Sequence, residues 1–470
     1  MKITFPQQYT MAGALGLLLA ILASAPCQAQ APNSARAHHP FKLSPTENLN
    51  CIRLGNIAQT RHWAPMSSWT EPKFSHGENP DNWNLFEPHP RDPLGGDGDA
   101  LLGSPLAYPM APIRNTLDRL YQREILVHIY DLLIFQNVSR TLEADQNPNS
   151  LYNRFDVALH IKTWDIPDQG AGIFTADFRV NNNVLNSPPP GESVGAFSPL
   201  NDIDSNTSFL INRMELQQSF LDERVNLTIG KGNPNDTIAS NLFAWDETSQ
   251  FIAVTFDGGN YPVGYSGYMP LVSLQVIPVD GIYMTGVVTS GLGSKYQLFS
   301  TLGEGLYWCA AEVGAVIEVG EEKRQGRYSI ALMNSNTGND TVDYATRTSG
   351  NAMAIVFQQE IADSTALWSQ YLLCSNEIGP AEQELTFGLS IENCFNRSND
   401  GFGVGLGWTD PSSSAYPGWR QRFQLETYYR LQLTETWQLS PDFQFLSRPA
   451  NPESEERPVY AFALRLLTEF

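Results

Sequence analysis

Beyond its first thirty residues, the sequence has no run of the roughly 18 apolar residues that a membrane-spanning helix needs. Basic residues are scarce, since 29 Lys and Arg stand against 50 Asp and Glu, giving a formal net charge of −21. Nucleic-acid phosphates are bound by clustered Lys and Arg, so this balance argues against a nucleic-acid partner. The low mean hydropathy is ambiguous, because membrane-spanning β-strands alternate apolar with polar residues and average to the same value.

Cysteine and histidine are also rare, with 5 Cys and 7 His in 470 residues. Four cysteines lie beyond the N-terminal segment, at Cys51, Cys309, Cys374 and Cys394. Their spacing matches no metal motif and no disulfide framework. We place Cys374 and Cys394 near opposite ends of neighbouring strands, where disulfide geometry forbids a bridge. No metal, cofactor or catalytic constellation is predicted, and the chain is not expected to be an enzyme.

Three parts of the chain are distinguished by composition. Residues 1–31 predict a secretory signal peptide, with Lys2, an apolar run over 11–25 and small residues at Ala29 and Ala31. Residues 32–112 are an irregular stretch rich in Pro and Gly, predicted to be a periplasmic extension. Plugging the pore and tethering it to the cell wall are two conceivable roles, and no motif favours either. Residues 113–470 are the β-rich domain, introduced by a short amphipathic helix over 113–122.

The β-rich domain alternates with a period of two, most clearly near its end. Phe423, Leu425 and Tyr429 alternate with Arg422 and Glu426, as in a strand with one apolar and one polar face. The following spans predict strands: 124–138, 151–164, 171–181, 207–219, 223–231, 268–279, 281–290, 304–319, 326–335, 349–361, 365–375, 383–395, 399–410, 418–432, 436–447 and 458–470.

The links between these strands alternate between short and long. Bacterial barrels have short periplasmic turns and long external loops, so the rhythm predicts a closed transmembrane antiparallel β-barrel of about 16 strands with both ends in the periplasm. The terminal Phe470 agrees with that placement. A soluble, secreted β-rich binding protein is the alternative, and it would show neither the rhythm nor the terminal aromatic residue.

The longest link, 232–267, is too apolar for a surface loop. A barrel of this width encloses an aqueous channel, and we expect the link to fold inward and narrow it. The alternative is that 248–257 is a further strand.

Two motif matches are set aside. Gly191-Glu-Ser-Val-Gly195 fits a hydrolase nucleophile pattern but follows three prolines rather than an apolar strand. Asp202-Ile-Asp-Ser-Asn206 offers alternate oxygens, but Thr207 and Arg213 replace the glycine and closing glutamate of a calcium loop.

Several stretches resemble one family. Ile113 to Leu120 with Asn137-Val-Ser139, the hairpin from Glu215 to Asp236, and the ending from Glu426 to Phe470 are similar to the carbohydrate-selective (OprB-like) porins of Gram-negative outer membranes. The resemblance covers 113–470; Arg140-Thr141 and the long extension depart from it. It implies a 16-stranded barrel through which mono- or oligosaccharides diffuse passively across the cell outer membrane, without a cofactor. The alternatives are a general or ion-selective porin and a membrane-bound enzyme barrel.

The polar face of the strands then becomes the pore wall, where arginine and carboxylate side chains offer hydrogen bonds to sugar hydroxyls. The expected partners are carbohydrate solutes and outer-membrane lipid, with the protein a monomer or a homotrimer. The candidate sugar-contact residues are Arg154, Asp177, Arg179, Arg213, Glu215, Lys231, Arg420, Arg422, Glu426, Arg430 and Asp442.

Overall fold

The structure is a computed structural model. It describes residues 120, 123, 125–166, 170–203, 207–221, 224–257, 269–322, 324–337, 348–362, 364–397, 400–434, 436–449, 451 and 457–469. The predicted signal peptide, the extension over 32–112 and Phe470 lie outside these residues, as does the helix predicted over 113–122 except for Leu120.

Sixteen strands form where the sequence alternates, and each begins and ends within four residues of its predicted span. The strands are β1 (Ile125–Val138), β2 (Asn149–Ile166), β3 (Gly170–Asn183), β4 (Thr207–Phe220), β5 (Val225–Gly232), β6 (Met269–Val279), β7 (Ile282–Ser290), β8 (Tyr307–Val319), β9 (Arg324–Ser335), β10 (Gly350–Ala362), β11 (Thr365–Cys374), β12 (Ala381–Glu392), β13 (Gly401–Pro411), β14 (Arg422–Gln432), β15 (Trp437–Leu446) and β16 (Val459–Glu469).

The sheet closes on itself. Every strand pairs with the next one along the chain, and β1 pairs antiparallel with β16 from Tyr130 opposite Glu469 to Val138 opposite Ala461. Closure removes the unpaired edges that an open sheet would expose. The predicted 16-stranded antiparallel barrel is confirmed.

The two faces of the barrel differ as the alternation predicts. In β14, Arg422, Gln424 and Glu426 are almost fully buried, whereas Phe423 between the first two is 50% exposed. Successive side chains of a strand point to opposite faces, so the polar set lines the lumen and the apolar set faces outward. The core of this domain is therefore inside the barrel, where loop residues cover the polar wall.

Helices contribute little. A five-residue helix, α1 (Pro190–Val194), lies between β3 and β4. Ser193 of the hydrolase-like motif sits in α1, and its hydroxyl donates to the Pro189 carbonyl at 3.0 Å. Among the described residues, no helix combines the length and the apolar character needed to cross a membrane.

The described cysteines are not bridged. Cys309, Cys374 and Cys394 are free thiols, in keeping with the distance expected between the last two. Cys394 lies in the link after β12, where burial, followed by the charge of Glu392, raises the pKa of its thiol to about 12. A thiol with such a pKa is a poor nucleophile at neutral pH.

Candidate functional site

The candidate site is the lumen, and a long loop runs along its wall. We call residues 233–257, the described part of the link between β5 and β6, the inner loop. Phe251 and Phe256 of this loop pack with the lumen-facing Trp368 and Tyr428 in the largest hydrophobic cluster of the barrel. The Phe251 ring lies edge-on to Tyr428 with centroids 5.0 Å apart. The described residues therefore fold inward as predicted, and 248–257 is loop rather than an additional strand.

The first half of the inner loop is fixed to β8 and β9. Glu312 accepts a hydrogen bond from the backbone N–H of Ala239, and Arg327 donates to the carbonyl and hydroxyl oxygens of Ser240 at 3.1 and 3.0 Å. Arg327 and Glu312 also pair with each other at 3.3 Å. Because all of these groups are buried, each bond satisfies an atom that would otherwise be costly to remove from water.

The second half is fixed to β14 by Glu426. Its two carboxylate oxygens accept hydrogen bonds from the backbone N–H groups of Ile252 at 2.6 Å and Ala253 at 3.1 Å. A buried N–H group that is left without an acceptor costs about 1–3 kcal/mol. Glu426 is fully buried, so its bonds hold the loop backbone at a defined distance from the wall.

Two arginines complete this attachment. Arg465 of β16 donates to the carbonyl oxygens of Glu247 and Gln250, each at 2.7 Å. Arg422 of β14 donates to the Thr255 hydroxyl at 2.7 Å. The planar guanidinium suits this task because it can bond two acceptors at once and stays charged.

A row of glycines on β13 makes room for the loop. Gly401, Gly403, Gly405 and Gly407 all face the lumen. A Cβ atom at Gly405 would lie 2.9 Å from Phe256, closer than real Cβ atoms approach other atoms, and a tight 3.1 Å from Phe251. The absence of side chains at these lumen-facing positions of β13 therefore allows the two rings to lie directly on the wall.

A second loop meets the inner loop within the barrel. We call residues 184–203 the cover loop. Its Leu200 carbonyl accepts hydrogen bonds from Gln136 of β1 at 3.3 Å and Gln444 of β15 at 2.9 Å. Its backbone exchanges bonds with the inner loop, from Asp202 to Ile252 at 3.0 Å and from Val254 to Pro199 at 3.2 Å. The two loops form one hydrogen-bonded unit against β14–β16 and β1.

Three carboxylates come together where the two loops meet. Oxygens of Asp202, Glu247 and Asp257 lie within 4.8 Å of one another, a separation that a metal ion could bridge. Arg154 of β2 already binds two of them, pairing with Glu247 and lying 3.2 Å from Asp202. The guanidinium supplies positive charge to the cluster without an ion.

The predicted contact residues on β3–β5 line the lumen in hydrogen-bonded pairs. Arg179 donates to both oxygens of Asp156, at 2.9 and 3.1 Å, and Asp177 accepts from Asn212 at 2.8 Å. The remaining pairs are Arg213 with Asp236 and Glu215, Glu215 with Gln217, and Lys231 with the Ser294 carbonyl.

Among the candidates near the C-terminus, Arg430 pairs with Glu392 and faces the lumen. Arg420 does not lie on the wall, because β14 starts at Arg422 and Arg420 is an exposed residue of the preceding loop. The alternation is interrupted there because Trp419 packs with Phe197 of the cover loop and Tyr416, with ring centroids 6.3 and 5.0 Å away. The lumen position predicted for Arg420 is wrong.

Some lumen groups keep hydrogen-bonding capacity. Among the described residues, Arg465 Nε and Nη2 and Ser440 Oγ are buried and make no hydrogen bond to protein. Ser440 stands opposite Arg465 in the ladder between β15 and β16. Buried polar groups are normally satisfied, so this patch suits water or the hydroxyl groups of a solute.

Several of these residues were not among the candidates from sequence. Glu312 and Arg327 lie on the polar face of predicted strands, so alternation alone could have added them. The glycine row and Ser440 gave no such signal, because neither bears a charge.

A family model now adds to this geometry. Residues 280–470 match the carbohydrate-selective porin, OprB family. This part of the chain is similar to that family. The resemblance predicted from the sequence over 113–470 is confirmed for residues 280–470, and no curated protein matches the chain.

The porin fold is also found among solved structures. The high-pH structure of Pseudomonas putida OprB matches with a TM-score of 0.62 and 13% identity, over 76% of this chain and 97% of that chain. The low-pH structure of the same protein gives a TM-score of 0.46 at 10% identity, over 80% and 100%. A mutant of Rh. blastica porin gives 0.46 at 10% identity, over 74% and 100%. At these identities the first match supports the fold, and family and fold together indicate a channel rather than an enzyme.

Proposed function

We propose that the protein is an outer-membrane porin through which carbohydrates diffuse passively. The observation that carries this proposal is a closed barrel with an apolar outer face, a polar lumen and a loop fixed along the inner wall. Diffusion through such a lumen requires no energy source or cofactor, because solutes exchange hydrogen bonds with water for hydrogen bonds with the wall.

The inner loop sets the width of the path in this proposal. Its attachments to Glu312, Glu426 and Arg465 hold it in place, so a passing sugar meets a rigid rather than a fluctuating opening. Sugar hydroxyls both donate and accept hydrogen bonds, which matches the remaining donors of Arg465 and the hydroxyl group of Ser440.

Recording across planar lipid bilayers tests the function. The purified protein is expected to give stepwise ion conductance, and added oligosaccharide is expected to reduce the current reversibly. A bilayer that stays insulating would reject the channel. Conductance that no sugar alters, with no sugar uptake into liposomes, would point instead to a general or ion-selective porin.

Export and domain boundaries belong to the same proposal. We propose that residues 1–31 direct the chain to the outer membrane and are removed, that 32–112 stay in the periplasm, and that the barrel domain begins at 113. N-terminal sequencing of the protein isolated from outer membranes should then begin close to residue 32. An intact Met1 would contradict the signal peptide. A monomer and a homotrimer both remain compatible with transport, because each barrel encloses its own lumen.

A further inference from the structure

An irregularity in the sheet brings two polar side chains together on the lumen wall. The register shifts between β3 and β4, so that Arg213 lies opposite Asp177 whereas Ile211 lies opposite Phe178. Asn212 is the extra residue of this β-bulge. Regular alternation from Arg213 would point Asn212 outward, but its side chain is buried like that of Arg213. Bulges redirect side chains in this way, often beside functional sites.

The side chain of Asn212 contacts the carboxylate of Asp177. Its Nδ2 donates to Asp177 Oδ2 at 2.8 Å, and this bond fixes the orientation of the carboxamide, because a flipped amide would place two oxygens together. The Oδ1 atoms of both residues are buried and accept no hydrogen bond from the described residues. The bulge therefore produces two neighbouring acceptor groups without donors. Buried polar atoms are normally satisfied, so the pair suits a ligand that donates hydrogen bonds.

The guanidinium groups beside Asp177 are bound to other carboxylates. Arg213, directly across the ladder, pairs with Asp236 of the inner loop. Arg179, the next inward residue along β3, donates to both oxygens of Asp156, at 2.9 and 3.1 Å. Among the described residues, no guanidinium or ammonium group therefore provides Asp177 with a counter-ion. An unpaired buried charge is unfavourable, which again favours a ligand, and specifically a cationic one.

The number of donors identifies the kind of cation. A sugar hydroxyl donates one hydrogen bond and is neutral, whereas a protonated primary amine donates three and is charged. A calcium ion takes about six to eight oxygen ligands, more than Asp177 and Asn212 offer. On the β2 side, the residue opposite Asp177 is Ala158, whose methyl group offers no further ligand atom. These features match an ammonium group better than a hydroxyl group or a metal ion.

We propose that Asp177 and Asn212 form a lumen site for the protonated amine of an amino sugar. The ammonium group donates to the Oδ1 atoms of both residues and supplies the counter-ion that Arg179 and Arg213 do not. The site therefore favours amino sugars over neutral sugars of the same length. This inference rests on the proposed function, because it names the class of sugar that the lumen prefers. Ion pairs with a hydrated partner are weak, which allows the solute to be released.

Reversible block of the ion current in planar bilayers tests the site. The probes are an oligomer of glucosamine and its N-acetylated counterpart, which have the same number of sugar units and differ in the charge of their amino groups. At about pH 6 the primary amines are protonated. We expect the glucosamine oligomer to halve the wild-type current at about fivefold lower concentration, which corresponds to about 1 kcal/mol. Equal half-blocking concentrations would overturn the proposal.

The variant Asp177→Asn separates this site from the general charge of the lumen. It is nearly isosteric and is expected to equalise the two half-blocking concentrations. The matched control is Asp131→Asn, which removes a carboxylate from the outward face of β1 and is expected to keep the wild-type preference. A preference that persists in Asp177→Asn would overturn the proposal. So would a lower potassium selectivity with the same preference, because the site would then bind inorganic cations.

A second variant decides the matter if Asp177→Asn forms no channels. Asn212→Ala keeps the carboxylate but removes one acceptor, so the preference for the amine is expected to fall about twofold. An unchanged preference would overturn the proposal. A wild type that conducts ions but is blocked by neither oligomer would overturn the proposed sugar channel, and this inference with it.

Discussion

Two parts of the lumen wall differ in charge and in what they contact. The charged wall, on β14–β16, bears Arg422, Glu426, Asp442 and Arg465. The uncharged wall, on β6 and β7, bears Ser273, Gln275, Thr285 and Thr289, and these four make no hydrogen bond to the described inner loop. The charges of the charged wall are therefore largely engaged in fixing a loop, whereas the uncharged wall keeps hydroxyl and amide groups without ionic partners.

The difference has a consequence for sugars. A charged side chain forms strong hydrogen bonds and ion pairs. On the charged wall, the inner loop already occupies much of this bonding capacity. An uncharged solute that must be released at every step is better served by neutral donors and acceptors of moderate strength. We expect the charged wall to control the width of the path and the uncharged wall to modulate how long a sugar stays.

The difference between the two walls should be reduced most by Glu426→Ala, which detaches the inner loop from the charged wall. This change removes the acceptor of two buried N–H groups, those of Ile252 and Ala253, and is expected to cost about 2–4 kcal/mol of unfolding free energy. The released loop should raise the single-channel conductance or make it fluctuate. Glu377→Ala, in an exposed loop, is the control for loss of a carboxylate. Unchanged, steady conductance would show that Glu426 does not hold the loop.

A smaller effect is expected from Gly405→Leu. The new side chain would meet Phe251 and Phe256 and push the inner loop from the wall, at a cost of about 1–3 kcal/mol. Gly286→Leu is the matched control, because no atom lies within 4 Å of a Cβ at Gly286. Urea unfolding of both variants measures the difference. Equal stabilities would mean that close approach to β13 is unimportant.

The smallest effect is expected from a double substitution that tests the role of the uncharged wall. Gln275 donates to Thr285 at 3.3 Å, and replacing both by alanine removes neutral groups worth about 0.5–1.5 kcal/mol. We expect a few-fold weaker block by oligosaccharide with nearly the same ion conductance. Thr427→Ala, on the outward face of β14, serves as control. A large change in conductance would assign the uncharged wall to the constriction itself.

Much of the barrel could be predicted from the sequence because its strands are fixed by local alternation. One face of each strand contacts the lumen and the other lies outside, so a period of two identifies both the strand and its orientation. Arg420 shows the limit of this reasoning. Its alternation continues that of β14, but the neighbouring Trp419 packs with Tyr416 and with Phe197 of the distant cover loop.

The attachments of the inner loop could not be predicted in the same way. Arg465 donates to the carbonyl oxygen of Glu247, which lies 218 residues earlier in the sequence. Every residue has a backbone carbonyl, so the residue type does not reveal such an acceptor. The sequence therefore identified Arg422, Glu426 and Arg430 as lumen residues without revealing that two of them hold a loop. The row of glycines on β13 could not be predicted as part of the site either, because glycine has no side chain whose polarity would indicate a role.

The anchors of the inner loop also constrain the order in which the molecule assembles. Ile252 precedes Glu426 by 174 residues and Glu247 precedes Arg465 by 218, so the binding partners of the loop are synthesised long after the loop itself. Strands pair with their sequence neighbours, and the last of them must insert before the lumen has a wall on that side. The loop can reach its final place only once β14–β16 are present. The lumen is therefore narrowed in the last stage of assembly. A chain truncated before β14 would form strands but would lack the residues that fix the inner loop.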